Sequence, residues 1–113
     1  MKTQLPESSR KIASTLAKLK EALNECYQSN LQYVVLYGSY ARGDFHSNSD
    51  IDILVVLNHI QSEMKELETL AELKTDIIID DEIYISTNAV QTEKFLTSNF
   101  QYYQNVRNEG IEL

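Results

Sequence analysis

Two apolar runs constrain this chain more than any other feature. Residues 31–37 read LQYVVLY and residues 51–57 read IDILVVL. Both are rich in β-branched or aromatic side chains, so each is expected to be a strand buried within a covered sheet. Asp52 alone breaks the second run. An unpaired carboxylate costs several kcal/mol to bury, so its charge is expected to have a use. Asp50 stands two positions earlier. In a strand, i and i+2 project from the same face with Cα atoms about 6.6–7 Å apart. Two carboxylates so placed at a strand end can take divalent cations from one side, since two-metal centres hold their ions about 3.5–4 Å apart. The competing reading makes Asp50 a turn cap and puts Asp52 on an exposed face, against the apolar run around it.

The rest of the chain supplies cover for such a sheet. In residues 8–28, Ile12, Leu16, Leu19, Leu23 and Cys26 recur at spacings of four and three, an amphipathic helix of about five turns. Residues 39–42 suit a short helix closed by Gly43, and residues 44–49 a polar loop. Residues 61–74 have helical spacing, and residues 77–85 (IIIDDEIYI) read as a third strand. Residues 88–96 and 100–108 look helical, with Gly110 capping the second. The expected class is α+β or α/β, a sheet covered by helices.

At 113 residues and 13.0 kDa, the expectation is one domain spanning 1–113. Seventeen acidic against ten basic side chains give a net charge of −7, which disfavours binding to a nucleic-acid backbone. A polyanionic substrate held through metal ions stays open. The lone Cys26 excludes an internal disulfide, the first residues lack the apolar core of a signal peptide, and no apolar run approaches the roughly 20 residues of a membrane span. The expected setting is cytoplasmic, with no membrane association.

Gly38-Ser39 ends the first strand and opens the short helix. Glycine allows a ligand close to the backbone, and free amides at a helix start favour phosphate. Ser39 adds a hydroxyl, and Arg42 a cation able to fork onto phosphate oxygens. Alone these are common turn residues. Beside Asp50-x-Asp52, they put a phosphate-cradling turn next to a metal-binding strand, an arrangement suited to a nucleoside triphosphate with Mg²⁺. No G-x-x-x-x-G-K-[ST] occurs, so this is no P-loop.

Gly38-Ser39-Tyr40-Ala41-Arg42-Gly43, followed by Ser49-Asp50-Ile51-Asp52-Ile53-Leu54-Val55, resembles the signature of the DNA polymerase β-like nucleotidyltransferase superfamily, and most closely its minimal nucleotidyltransferase branch. Tyr103 to Ile111 resembles the tail of such short proteins. The resemblance implies a small mixed β-sheet flanked by helices. It implies that Gly38, Ser39 and Arg42 hold the nucleotide and that Asp50 and Asp52 bind two Mg²⁺ ions. A third carboxylate from a later strand would help deprotonate the incoming hydroxyl; the usual spacing and strand alternation point to Asp81, with Asp80 the alternative. Proteins of this branch are often antitoxins of HEPN-type ribonuclease toxins, and the better understood ones transfer AMP from ATP to a toxin tyrosine. Others are thought to act by binding alone, a non-catalytic reading that the small acidic chain also suits. Relatives that modify antibiotics rank last, since they usually need a further helical domain or a dimer. A partner or self-association is expected, because so small a chain leaves its cleft open. His46, in the polar loop, and His59 have no zinc-ligand spacing, and Tyr102-Tyr103 with Phe95 and Phe100 suit helix packing or a partner surface.

Overall fold

The computed structural model describes residues 1–113. After a 3₁₀ turn at Glu7–Ile12 come α1 (Ala13–Tyr27), β1 (Leu31–Tyr37), α2 (Ser39–Arg42), β2 (Ile51–Leu57), α3 (Glu63–Asp81), β3 (Ile85–Gln91), α4 (Thr92–Thr97), α5 (Gln101–Glu109) and β4 (Ile111–Glu112). The sheet order is β3-β2-β1-β4. β1 runs antiparallel to β2 and β4, while β2 and β3 are parallel. A parallel neighbour needs a crossover, and α3 supplies it. The class is the expected one, a mixed sheet between helices.

Both central strands are buried on two faces over most of their length, as their largely apolar sequence requires, with Gln32 of β1 exposed and Asp52 of β2 half-buried. One face carries Val34, Leu36, Ile51, Ile53, Val55, Leu57 and Ile85 against Leu16, Leu19 and Leu23 of α1 and Leu70 and Ile77 of α3. The other carries Val35, Leu54, Val56 and Val90 beneath Phe95 of α4 and Val106 of α5. Phe95 is fully buried and is the largest side chain in that second cluster. Phe95→Ala is expected to cost about 3–5 kcal/mol, read as a fall in the urea midpoint with an unchanged slope.

Two expectations are corrected. Residues 77–85 are not a strand: α3 continues through Ile77, Ile78 and Ile79 to Asp81. Leu70 and Ile77 lie two turns apart and both reach the core, while Ile79 is 67% exposed, an arrangement that fits a helix and not a buried strand. The helix ends without glycine, on Glu82 in the left-handed region (φ 54°), whose N–H donates to the Ile78 carbonyl. The third strand therefore lies later, where a helix over 88–96 was expected, and only Thr92–Thr97 is helical. Gly110 follows α5 as expected but in extended backbone (φ −68°). Its missing side chain matters for packing: a Cβ there would strike the Val106 carbonyl and lie 2.6 Å from Val35 Cγ1.

Candidate functional site

The site is built where β1 ends beside the start of β2. Tyr37, the last residue of β1, pairs with Asp52 across the antiparallel ladder. Gly38 then turns the chain with φ 78° and ψ −155°, a region essentially restricted to glycine. Its carbonyl accepts from the Ala41 and Arg42 amides, both at 3.1 Å, which closes α2. A Cβ on Gly38 would land on the Asp52 carboxylate oxygen Oδ2. The backbone of the turn and the acid of the strand are thus in direct apposition, and neither tolerates a larger Gly38.

Asp52 is half-buried, Asp50 exposed. Burial pushes the Asp52 carboxyl up, the Asp50 charge pushes it further, and the Arg42 guanidinium partly offsets both. Folding thus holds two acids close enough to repel, one of them poorly solvated. A divalent cation relieves that strain, and hard carboxylate oxygens are the donors Mg²⁺ prefers. Two carboxylates leave most of an octahedral shell to other oxygens, as when phosphates share the ion. The pair therefore fits a metal brought in with a phosphate-bearing ligand.

Ser39 is half-buried at the first position of α2, and the first amides of a helix have no carbonyl behind them. Arg42 is exposed and engaged elsewhere: Nε lies 3.1 Å from Asp44 Oδ2 and Nη1 3.4 Å from Glu109 Oε1. It acts on Asp52 through its field rather than through a contact. Tyr40 is buried and stacks on Phe45, with ring centroids 4.2 Å apart. Burial and the Asp50 charge both push its hydroxyl up. His46 organises the polar loop: its amide donates to Ser49 Oγ at 2.9 Å, and its Nδ1 accepts from the Asn48 amide at 3.3 Å.

Asp81 sits differently from expectation. As the last residue of α3, its carboxylate accepts from Thr15 Oγ1 at 2.5 Å and from Lys18 Nζ at 2.6 Å. Those bonds hold its carboxyl below the usual range. It shares a shallow cavity of about 400 Å³ with Asp50, Lys11 and Tyr84, yet no three His, Cys, Asp or Glu side chains converge to hold a metal ion. Asp80 is exposed on α3 as well. On β3 the residue paired with Asp52 is Ser86, and Asn88 follows on the same face. The neighbouring strand therefore offers a hydroxyl and an amide where a third acid was expected. Sequence reasoning did not place either on a strand, having drawn β3 eight residues early.

A nucleotidyltransferase domain model matches residues 16–103. A Methanocaldococcus jannaschii relative, named as a candidate protein adenylyltransferase, is 29% identical over 108 residues, covering 90% of this chain and 98% of its own. A toxin–antitoxin complex crystallised with AMP-PNP superposes with a TM-score of 0.59 at 22% identity, over 88% of this chain and 69% of the other. A complex of the tri-AMPylated HEPN toxin of Shewanella oneidensis with an MNT antitoxin superposes with a TM-score of 0.52 at 16% identity, over 87% and 70% of the two chains. At these identities the structures speak to the fold alone.

Proposed function

Because this chain belongs to the nucleotidyltransferase domain family, we propose that it transfers AMP from ATP, with Mg²⁺, to a tyrosine hydroxyl of a HEPN-type toxin and so acts as an antitoxin. The observation that carries this reading is the apposition of Gly38 and Asp52, with Asp50 the residue just before β2. Two acids and a glycine turn in that relation suit a metal–triphosphate and have no evident role in packing.

Asp50 and Asp52 would hold Mg²⁺ with triphosphate oxygens, and the Gly38-Ser39 turn would receive the outer phosphates. Bound Mg²⁺ supplies charge neutralisation on the phosphate oxygens. In the transfer, the acceptor oxygen forms a bond to the α-phosphorus. The bond from that phosphorus to the bridging oxygen breaks, pyrophosphate leaves, and the hydroxyl proton passes to solvent. The chain's own part is positioning and electrostatics. Asp81 falls outside this set, because Lys18 and Thr15 already satisfy its carboxylate. With Ser86 and Asn88 rather than an acid on that face of β3 beside Asp52, no carboxylate on the strand is offered to help deprotonate the incoming hydroxyl.

The same absence of a third acid favours a second reading, in which the chain neutralises its partner by binding alone, aided by its net charge of −7. Intact-mass measurement separates the two. The protein encoded beside this chain is co-expressed with wild type or with Asp50→Ala/Asp52→Ala. Added adenylyl groups only with wild type support transfer; an unmodified partner that co-purifies with both versions supports binding alone.

Asp81→Asn provides a further test. Mg²⁺-dependent ATP binding by calorimetry is expected to stay within about twofold of wild type. Stability should fall at neutral pH instead. A lowered carboxyl pKa stabilises above its unfolded value of 3.8 and loses that contribution as pH falls through the lower folded value. The Tm gap between variant and wild type should therefore close in strong acid. Loss of ATP binding by this variant would return Asp81 to the metal set.

A further inference from the structure

The Asp52 face of the sheet carries a phenol that the transfer step described above does not use. Tyr37 of β1 pairs with Asp52 across the antiparallel ladder, so the two side chains leave the sheet on the same face, with Cβ atoms about 4.5–5.5 Å apart. The Tyr102 hydroxyl of α5 donates to the Tyr37 hydroxyl at 3.0 Å. Tyr102 packs edge-on to both Tyr37 and Tyr103, with centroids 5.6 and 4.9 Å away. Asn88 approaches from the other side of β2. It follows Ser86, the partner of Asp52 on β3, by one strand repeat of about 6.6 Å on the same face. Burial and the hydrogen bond to Tyr37 push the Tyr102 hydroxyl up, and a hydrogen bond from the Asn88 amide works against them. The phenol oxygen thus bridges side chains of β1 and β3 across β2, about one repeat from Asp52. Tyr102 is nonetheless 38% exposed, so the helix that carries it does not seal it off.

A tyrosine hydroxyl is the acceptor class proposed above, and here one is built into the chain that would hold the donor. Keeping both reactants on one scaffold removes the entropic cost of bringing an acceptor from elsewhere. We propose that Tyr102 is an internal acceptor: without a partner, the chain transfers an adenylyl group to its own Tyr102. The inference rests on the nucleotidyl-transfer reading and adds to it a modification site. In the step, Tyr102 Oη bonds to the α-phosphorus of ATP and the bond from that phosphorus to the bridging oxygen breaks. Pyrophosphate leaves, and the hydroxyl proton passes through the Tyr37 hydroxyl to solvent. The adenylyl group then lies over the Asp52 face, so one chain takes a single group and no longer binds ATP.

Intact mass of the purified chain after incubation with Mg²⁺ and ATP tests it, with peptide fragmentation to locate the adduct. Wild type is expected to gain one adenylyl group, on Tyr102. Tyr102→Phe and Asp52→Asn should gain none, and Tyr103→Phe, altered in the same aromatic cluster, should still gain it. The rate per chain should not change on dilution, because donor and acceptor share one molecule. A second readout needs no turnover. With Mg²⁺ and α,β-methylene ATP, which cannot break at the bond in question, Tyr102 should be shielded from iodination. An adduct on Tyr37 or any other residue would overturn the assignment, as would a rate that falls on dilution or a Tyr102 that the analogue leaves unshielded. An unmodified wild-type chain, under conditions that modify the protein encoded beside it, would overturn the inference and leave the transfer reading standing. Modification of neither protein would remove the transfer reading itself.

Discussion

Asp52→Asn is expected to abolish Mg²⁺-dependent ATP binding and, at the same time, to raise the melting temperature of the metal-free protein. Both effects follow from one arrangement. Asp52 sits half-buried in an otherwise apolar strand, near Asp50 and against the backbone of Gly38. Burial and the Asp50 charge push its carboxyl above the ordinary range. A carboxyl raised on folding means that the folded state binds protons more readily than the unfolded chain. Its ionised form therefore costs stability above the unfolded value, and that cost fades as pH falls through the raised folded value. In EDTA, the wild-type Tm should rise on moderate acidification through this group, and the Asn variant should lack that component. Near neutral pH the variant should melt a few degrees higher, since an uncharged amide fills the same space. Binding responds with the opposite sign. Removing even a group that merely supports a metal ligand costs about 10–100-fold in affinity, so losing one of two ligand carboxylates should exceed a hundredfold. A variant that still binds Mg²⁺–ATP, or that melts lower than wild type in EDTA, would contradict this account of Asp52.

That trade explains which parts were legible in the sequence. β1, α2 and β2 occupy the residues their patterns predict, because burial on both faces writes a largely apolar run and the turn between them is written in glycine. Asp52 stood out since the same burial makes a carboxylate costly. The misreading of residues 77–85 has a local cause. Three consecutive isoleucines have strand propensity, but Leu70 and Ile77 at helical spacing decide the matter through packing, a routine override. The real β3 was hard to see: it is an edge strand whose Asp52 face carries Ser86 and Asn88 before its one buried apolar residue, Val90. Nor could the sequence reveal that Asp81 is occupied, since Thr15 and Lys18 lie 66 and 63 residues earlier in the chain. The Tyr37–Tyr102 contact, 65 residues apart, was hidden for the same reason. Local pattern discloses burial; partners brought together by the sheet appear only in three dimensions.

Gly38→Ala should be the most damaging conservative substitution at the site, removing nucleotide binding and lowering stability together. Two independent penalties coincide there. The backbone at φ 78° and ψ −155° is one that an L-residue occupies at a cost of about 1–3 kcal/mol. The added methyl would also land on the Asp52 carboxylate, so alanine can be accommodated only if the turn or the acid moves. Moving the turn disrupts the Ala41 and Arg42 amide bonds to the Gly38 carbonyl that close α2. Moving the acid takes it from its place beside Asp50. Either way the metal–phosphate geometry is lost, and ATP affinity should drop at least as far as in Asp52→Asn. Stability should separate the two variants: Asp52→Asn is expected to melt higher than wild type in EDTA and Gly38→Ala lower, by several degrees for each kcal/mol in a domain of this size. The double variant Gly38→Ala/Asp52→Ala removes the colliding carboxylate but keeps the strained backbone. It should recover part of the Tm lost in Gly38→Ala and none of the ATP binding. If the double variant melts no higher than Gly38→Ala, the collision with Asp52 is not what glycine avoids, and the backbone conformation alone accounts for the residue.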